Sequence, residues 1–541
     1  MKENHSQEQQ KSEPVPLFSS PEAIDDMLHQ AFVRLGEHRF AEAATIYQEV
    51  LALEPNNIYA SFNLGMISQS NGELLRAISC YNTVLEREPD NFQVLYQLAN
   101  AYRDQGCWAN AAANYQKALR QDSSHADIHY NLGIVRYYQG DFESARHDYQ
   151  QAIELDPSRA ESFYNLGIVH FEQGAYGLAI DCYEKALTLQ PDDIDILYNL
   201  AVTSTAQGNF EAAVGHYLDA LKLSPDDAEM YNALGFVYKQ LKELEQAKIC
   251  FHKAITLRPE YGAAYTNLAI IFHTADQNEL AIECYSKAIE CGHQTESADY
   301  MLAALTGSNR DSSPRGYVRD LFDGYAADFD SKLTIELGYN VPLKLREVAE
   351  KLLGSNQQFQ RVADLGCGTG LIGSHFRDIT NHIIGIDLSS KMLDQAAAKG
   401  VYDELHSGDI NEFLEGYAGR FDLLVAADVL IYLGDLDPFF KSVTGCVEPH
   451  GYLLFSIEKL FTPGIRQLQV SGRYAYAREY IFDLAERYGF SVEVCQDINL
   501  RKEKGQWLKG SIFALRKING STFVGRSGGV RPSQVLDHPF I

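Results

Sequence analysis

The chain has 541 residues, with 46 basic and 73 acidic side chains and a formal net charge of −27. This length predicts two or more domains, and so acidic a surface repels a phosphate backbone, which argues against a nucleic-acid partner. The nine cysteines form no C-x-x-C pair and lie near no histidine cluster, so we expect no metal site. A polar N-terminus and the lack of a long apolar run predict a cytoplasmic protein without a membrane span.

Residues 1–21 are polar and predict a disordered tail. From residue 22 to residue 293 the sequence repeats every 34 residues, and prolines mark six of the repeat boundaries: Pro55, Pro89, Pro157, Pro191, Pro225 and Pro259. An aromatic residue stands eight positions before each boundary: Tyr47, Tyr81, Tyr115, Tyr149, Tyr183, Tyr217, Phe251 and Tyr285. The pattern resembles the tetratricopeptide repeat, which implies an α-solenoid of eight helical hairpins.

Five asparagines share one phase of the first helix of their repeats: Asn63, Asn131, Asn165, Asn199 and Asn267. We expect the solenoid to line them up on its concave side, where an amide can donate to and accept from an extended peptide. The row resembles the asparagine ladder of O-linked N-acetylglucosamine transferases, which implies a protein or peptide partner in the concave face. The alternative is that each amide bonds a neighbouring helix or water.

Residues 294–316 predict a capping helix and a turn-rich linker. An amphipathic, aromatic-rich segment follows at 317–330 and opens a second domain, predicted over 317–517. The segment predicts either a packing helix or a lid over a cofactor, with Tyr325 and Phe329 facing the ligand. The lid interpretation rests on a resemblance to small methyltransferases, many of which carry a Tyr-x-x-x-aromatic-Asp segment just before their nucleotide-binding fold.

Strand-like and helical runs alternate in this second domain, which predicts an α/β doubly wound, Rossmann-like sheet. The candidate strands are 361–366, 383–387, 404–407, 421–427, 451–457, 491–495 and 511–516. Ligands on such sheets bind at the carboxyl ends of the strands, and the glycine turn at 366–370 follows the first of them. The tail at 518–541 has no clear pattern and predicts irregular structure.

Three features at successive strand ends resemble class I S-adenosylmethionine-dependent methyltransferases. The first is Asp364-x-Gly-x-Gly-x-Gly370, the second is Gly-Ile-Asp387-Leu-Ser, and the third is Gly-Asp409-Ile. The resemblance implies S-adenosyl-L-methionine as cofactor, with Asp387 accepting from the ribose hydroxyls and Asp409 from the adenine amino group. Met392 lies either against the adenine or in the core. The full set of expected cofactor-binding residues is Tyr325, Asp364, Gly366, Cys367, Gly368, Gly370, Asp387, Leu388, Met392, Asp409, Ile410 and Asp428.

The resemblance narrows further to bacterial methyltransferases that carry N-terminal tetratricopeptide repeats. It rests on residues 302–345, on Ala427 to Leu436, and on Ser471-Gly472-Arg473-Tyr474. That family often continues with Ala-His, where this chain has Ala475-Tyr476. A substrate role for a histidine at that position is therefore not transferred to this chain.

Methyl transfer from a sulfonium is an in-line displacement, so positioning can supply much of the catalysis. Asp428 and Tyr432 follow the fourth strand, where such domains usually meet the methyl group, although Asp428 can instead hold the methionine amino group. Glu458 and Arg473 either contact the substrate or form a surface or interdomain ion pair. We expect an enzyme that methylates a protein recruited by the repeats, with a small-molecule methyltransferase and a non-catalytic cofactor-binding scaffold as alternatives.

Overall fold

The computed structural model describes residues 21–293, 295–326, 329–353 and 358–518. Most of both predicted tails therefore lies outside the described residues. The chain divides into two compact units between Leu257 and Arg258. No helix among the described residues has the length and apolarity to cross a membrane.

The first unit is a run of helical hairpins. Each hairpin pairs two helices of 12 to 16 residues across a short turn. The helices are α1 Pro21–Gly36, α2 Phe40–Leu53, α3 Ile58–Ser70, α4 Leu74–Leu85, α5 Phe92–Asp104, α6 Trp108–Gln121, α7 Ala126–Tyr138, α8 Phe142–Leu155, α9 Ala160–Glu172, α10 Tyr176–Leu189, α11 Ile194–Gln207, α12 Phe210–Leu223, α13 Ala228–Gln240 and α14 Leu244–Leu257.

The repeat residues explain the packing of this unit. A β-carbon at Gly133 would lie 2.7 Å from the ring of Tyr149, so the small residue lets the aromatic of the second helix press against the first helix. Tyr149 is buried, as are the equivalent aromatics of the other repeats. First helices of neighbouring hairpins also contact one another, as α5 does with α3 and α7. They therefore form one continuous surface of the unit.

The second unit begins with an eighth hairpin and continues into the sheet domain. Its helices are α15 Gly262–Thr274, α16 Asn278–Glu290, α17 Glu296–Thr306, α18 Arg315–Tyr325, α19 Phe329–Ser331, α20 Val341–Leu353, α21 Leu371–Phe376, α22 Ser390–Lys399, α23 Ile410–Gly416, α24 Asp437–Cys446 and α25 Arg478–Arg487. Its strands are β1 Phe359–Leu365, β2 Thr380–Asp387, β3 Glu404–Ser407, β4 Phe421–Ala426, β5 Val447–Lys459, β6 Arg466–Leu468, β7 Tyr474–Tyr476, β8 Phe490–Glu503 and β9 Gln506–Lys517.

Five strands run parallel in the order β3-β2-β1-β4-β5. Strand β9 joins β5 in the antiparallel direction, and β8 pairs with β9. The small β6–β7 hairpin pairs with the last two residues of β5. The fold class is thus the predicted solenoid followed by a doubly wound α/β sheet, and a strand lies at each of the seven predicted places.

The core of the sheet domain contains apolar side chains of the parallel strands, such as Val362, Ile383 and Leu423, together with Leu345 of α20. The chain moves from β1 outward to β3 and then returns to the other side of β1 as β4. This reversal leaves a crevice at the carboxyl ends of β1 and β4, where ligands of such sheets bind.

Candidate functional site

The glycine turn after β1 is held against the end of β2. The backbone N–H groups of Gly366 and Cys367 both donate to the carbonyl oxygen of Ile386, at 2.8 and 2.9 Å. Gly366 has a φ of 72°, and a β-carbon there would lie 2.3 Å from a methyl carbon of Val429. The turn therefore requires glycine for its conformation and for its close approach to the segment after β4.

Asp387 ends β2, and its carboxylate faces the glycine turn. Its Oδ2 accepts from the N–H of Gly368 at 2.9 Å, and its Oδ1 accepts from the N–H of Ser389 at 2.8 Å. Burial raises the pKa of Asp387 above the ordinary value. Each oxygen retains a second lone pair, so the same carboxylate can still accept from hydroxyl groups of a ligand.

Asp364, the acid before the turn, is 1% exposed. Its Oδ2 accepts from the hydroxyl of Tyr402 at 2.6 Å, while its buried Oδ1 has no hydrogen-bond partner within the described part of the chain. Burial raises the pKa of Asp364 to about 7. An unpaired buried carboxylate oxygen is costly, so this residue suits a ligand that brings a cationic donor.

Asp409 lies just after β3, where the sequence predicted it, and its side chain also caps the N-terminus of α23. Its Oδ1 accepts from the N–H groups of Asn411 and Glu412, at 2.9 and 3.2 Å. Its Oδ2 lies 3.1 Å from Nε of Arg315 on α18. The sequence analysis had not anticipated either contact.

The apolar residues expected at the cofactor lie at different depths. Met392 is completely buried, and Cys367 and Ile410 are each 6% exposed. Met392 lies on α22 with its side chain in the packed interior, which is the position expected for a core methionine. Leu388 is half-buried beside Asp387, and Gly370 precedes the first turn of α21.

Polar contacts tie α18 and α19 to the carboxyl ends of the parallel strands. Asp323 accepts from the hydroxyl of Ser389, just after β2. Asp330 accepts from the hydroxyl of Thr369 in the glycine turn and from Nζ of Lys399 at 2.5 Å. These helices therefore lie where a lid over the strand ends belongs.

Aromatic contacts extend the same cover. The ring of Phe329 approaches within 4.0 Å of the position that a β-carbon of Gly368 would occupy. The ring of Phe322 meets Tyr432 edge-on, with 5.5 Å between centroids. Tyr325, at the end of α18, is 49% exposed, so its ring is not packed into the interior.

Asp428, after β4, adopts a left-handed conformation with a φ of 54°. Its N–H donates to Oγ of Ser456 at 2.8 Å, and the Ser456 hydroxyl donates to Oδ1 of Asp428 at 2.7 Å. Its Oδ2 forms an ion pair with Arg501. Such a conformation costs about 1–3 kcal/mol in a non-glycine residue, and these three contacts hold it in place.

Asp428 is one end of the Arg473 charge cluster, which we define as Asp428, Arg501, Glu458, Arg473 and Glu503. Oε1 of Glu458 accepts from Arg501 at 2.6 Å and from Arg473 at 2.7 Å. Arg473 also donates to both carboxylate oxygens of Glu503, at 2.8 Å each. Burial disfavours the charge on Arg473, but the carboxylates around it raise its pKa. Glu458 and Arg473 thus form an ion pair, but it is buried within the domain and does not lie at the surface or between domains, where the alternative had expected it.

The sequence analysis missed Arg501 and Glu503. Both lie at the end of β8, more than 40 residues beyond Glu458, and the sequence shows them only as part of a short mixed-charge run. The fold brings them together because β8 joins β5 through β9. Burial also raises the pKa of Tyr432 beside this cluster, which disfavours ionisation of the phenol.

In the repeats, three predicted asparagines bond a tyrosine of the preceding hairpin. The side-chain amide of Asn165 donates to the hydroxyl of Tyr130 at 3.1 Å, and that of Asn199 donates to the hydroxyl of Tyr164 at 2.9 Å. Asn131 is similarly 3.4 Å from the hydroxyl of Tyr96. The amides thus link neighbouring helices, as the alternative interpretation required.

Asn63, at one end of the row, differs from these three. Asn63 donates to the carbonyl of Tyr59 within its own helix, at 2.8 Å. Asn267 lies on α15, in the second compact unit.

Comparison with known proteins separates the two halves of the chain. A methyltransferase-domain family model matches residues 363–455. Tetratricopeptide-repeat family models match residues 34–100, 99–139, 130–194, 182–215, 204–242, 228–261 and 262–290. A crystal structure of MamA protein is 26% identical and covers 32% of this chain and 94% of that chain, with a TM-score of 0.31.

Two curated relatives are methyltransferases. The malonyl-[acyl-carrier protein] O-methyltransferase of Erwinia billingiae is 34% identical over 121 residues, which are 22% of this chain and 48% of the relative. The ubiquinone biosynthesis O-methyltransferase of Bordetella avium is 29% identical over 119 residues, 21% of this chain and 48% of the relative. The chain spans about half the length of these relatives. It therefore combines tetratricopeptide repeats, a protein–protein interaction motif, with a methyltransferase domain of the S-adenosylmethionine-dependent class.

Proposed function

We propose that the chain transfers a methyl group from S-adenosylmethionine to a protein or peptide recruited by its repeats. The observation that carries this proposal is the joint placement of the glycine turn, Asp387 and Asp364 at the carboxyl ends of β1 and β2, beneath α18 and α19. A non-catalytic scaffold that binds the cofactor would share these contacts, including the unpaired Oδ1 of Asp364, so methyl transfer to an acceptor is the measurement that separates it from an enzyme.

Each contact of the cofactor is assigned to a residue of matching chemistry. Asp387 accepts from the ribose hydroxyls through its remaining lone pairs. The unpaired Oδ1 of Asp364 accepts from the ammonium group of the methionine moiety. Asp409 lies after β3, on the adenine side, where Arg315 must yield one carboxylate oxygen for the predicted contact with the amino group.

The bound donor supplies an activated methyl group, and the chain aligns the acceptor with it. We assign the protonated phenol of Tyr432 as a hydrogen-bond donor to the acceptor, and burial, which raises its pKa further, disfavours its ionisation there. Asp428 is fixed by Ser456 and Arg501, so it orients groups rather than abstracting a proton. Positioning of this kind supplies much of the rate enhancement in an in-line displacement.

The protein acceptor is supported by the surface that the first helices form. Tyrosine–asparagine pairs repeat along it with the period of the hairpins. An amide that donates to a tyrosine keeps its carbonyl oxygen as an acceptor for peptide N–H groups. A long array of this kind exceeds what is needed to bind a small molecule.

A small acceptor is the second candidate, because the curated relatives named above match only the methyltransferase half of the chain. In that case the repeats serve assembly, and the acceptor is a metabolite or a glycoconjugate. Both candidates use the same cofactor site and differ in the size of the labelled product.

The test is transfer of radiolabelled methyl groups from S-adenosylmethionine into cell extract that is then separated by size. Label on proteins supports the first candidate, and label confined to small molecules contradicts it. The paired variant Asn165→Ala/Asn199→Ala is expected to reduce protein labelling. Asn114→Ala is the matched control, since Asn114 bonds only the carbonyl of Asn110 within α6. Equal labelling by the paired variant and the control would remove the role of the amide row.

A further inference from the structure

The turn between β6 and β7 sets the position of Arg473. The N–H of Gly472 donates to the carbonyl of Gln469 at 2.9 Å, and the N–H of Gln469 donates to the carbonyl of Arg473 at 2.8 Å. The side chain of Arg473 extends from this turn to Glu458 and Glu503 of the Arg473 charge cluster. A shift of the turn therefore moves the guanidinium.

Two side chains of the helical elements hold the carbonyls of this turn. The hydroxyl of Tyr300 on α17 donates to the carbonyl of Gly472 at 3.0 Å, and it lies 2.6 Å from the hydroxyl of Ser313. Nε2 of His273 on α15 lies 2.9 Å from the carbonyl of Val470. Burial lowers the pKa of His273, so the ring is neutral near pH 7 and donates from Nε2.

Close packing fixes the turn from a further side. Gly472 has a φ of 73°, and a β-carbon there would lie 2.6 Å from the hydroxyl of Tyr317 and 3.2 Å from Sδ of Met301. The rings of Tyr300 and Tyr317 lie 5.2 Å apart. Tyr300 itself is 1% exposed, so its hydroxyl is locked between α17, the linker and the turn.

We infer that Tyr300 and His273 are positioning residues that aim Arg473 from outside the sheet domain. The eighth hairpin and α17 are thus part of the catalytic unit and do more than recruit a partner. The inference rests on the proposed function, because it assigns the charge cluster to the acceptor side of the site. The effect of Tyr300 and His273 on the position of the Arg473 side chain can be measured without a known acceptor.

The test is the Nε–Hε signal of Arg473 in full-length protein with ¹⁵N-labelled arginine, assigned through Arg473→Lys. In Tyr300→Phe the ring remains and one hydrogen bond is lost, so the signal is expected to shift and its exchange with water to accelerate roughly fivefold. His273→Phe keeps a ring but has no N–H to donate to Val470, so it should shift the same signal. Tyr488→Phe is the matched control: it removes a partly buried tyrosine hydroxyl that donates to Oδ2 of Asp437 on α24 at 2.6 Å, and not to the β6–β7 hairpin.

The inference is overturned if the Arg473 signal is unchanged in folded Tyr300→Phe and His273→Phe proteins. It is also overturned if the control shifts Arg473 as strongly, since that result would mean general loosening of the domain. Binding of S-adenosylhomocysteine, measured by calorimetry, is expected to be equal in all these variants. Failure of the wild-type protein to bind it would refute the proposed function and leave the arginine result intact.

Discussion

At the residue scale, the central pair is Gly368 and Asp387, because a backbone N–H rather than a side chain meets the carboxylate. Because Gly368 has no side chain, a ligand can approach the backbone of the turn closely. Gly368 has a φ of 53°, and a β-carbon there would meet only the ring edge of Phe329, at 4.0 Å. A methyl group at this position would therefore protrude into the volume expected for the ligand and would not clash with described protein atoms.

Gly368→Ala is therefore expected to weaken binding of S-adenosylhomocysteine roughly tenfold or more, because the methyl group overpacks the site by about 1–3 kcal/mol. Gly400→Ala is the control, since Gly400 has a φ of 62° and no atom near its β-carbon position. Both variants should lose about 1–2 kcal/mol of folding free energy to the left-handed conformation. Calorimetric affinities that fall equally in both would contradict this account of the turn.

Asp364 predicts that cofactor affinity depends on pH. The pKa of Asp364 is raised to about 7 in the folded protein, so the group is half protonated near neutrality, and a ligand ammonium favours the carboxylate. Affinity for S-adenosylmethionine should rise between about pH 6 and about pH 8, by less than tenfold per pH unit. Asp364→Asn should bind more weakly and flatten the profile. An unchanged pH dependence in that variant would exclude Asp364 as its source.

The same pKa has a consequence for folding. The ordinary pKa of 3.8 applies in the unfolded chain, so the folded state binds this proton more tightly. Its contribution to stability is fully present below about pH 4 and is lost as the pH rises through about 7. In Asp364→Asn the free energy of unfolding should lose this component of its pH dependence.

At the element scale, α18 and α19 cover the strand ends through few contacts, and the ion pair of Asp330 with Lys399 is one of them. Asp330→Asn keeps the acceptor for Thr369 but removes the attraction to Lys399. Because both side chains are partly exposed, hydrogen exchange in α18 should accelerate only about two- to fivefold. Asp320→Asn, whose partner Arg319 is adjacent and exposed, should leave exchange unchanged. Equal exchange in the two variants would mean that Asp330 does not hold the cover.

The sequence predicted the positions of the strands that carry a local apolar pattern. The strand of residues 404–407 lies where it was expected, and buried runs such as 383–387 carry enough apolar residues to be recognised. The β6–β7 hairpin has strands of three residues each, and its turn is fixed by Tyr300 and His273, which are distant in sequence. Such elements have no local signal, because tertiary contacts decide them.

The residues of the candidate site also differ in whether the sequence carries a local signal for them. Asp364, Gly368 and Asp387 are recognisable because they follow one another at strand ends of a single chain segment. Arg501 and Glu503 join the cluster only through the pairing of β8, β9 and β5. Ion pairs between distant strands leave no spacing in the sequence that could predict them.

At the scale of the whole molecule, the division between the compact units falls after Leu257, although the predicted repeats continue to residue 293. The eighth hairpin packs with α17 and bonds the β6–β7 turn through His273. A deletion designed from the repeat period alone would therefore remove part of the second unit.

A chain that begins at residue 258 is expected to unfold cooperatively and to bind S-adenosylhomocysteine as the full protein does. A chain that begins at residue 294 lacks α15 and α16, so α17 loses its packing against α16. Removal of such contacts costs several kcal/mol, and thermal denaturation should show a clearly lower Tm. The same Tm for both chains would contradict the placement of the eighth hairpin with the sheet domain.

Calorimetric titration of the purified full-length protein with S-adenosylhomocysteine tests the central claim most directly. Binding of one molecule per chain is expected, and Asp387→Ala should abolish it, because that carboxylate both braces the glycine turn and meets the ribose. An absence of binding heat at any temperature, or full affinity in Asp387→Ala, would contradict the assignment of the methyl donor to the carboxyl ends of β1 and β2.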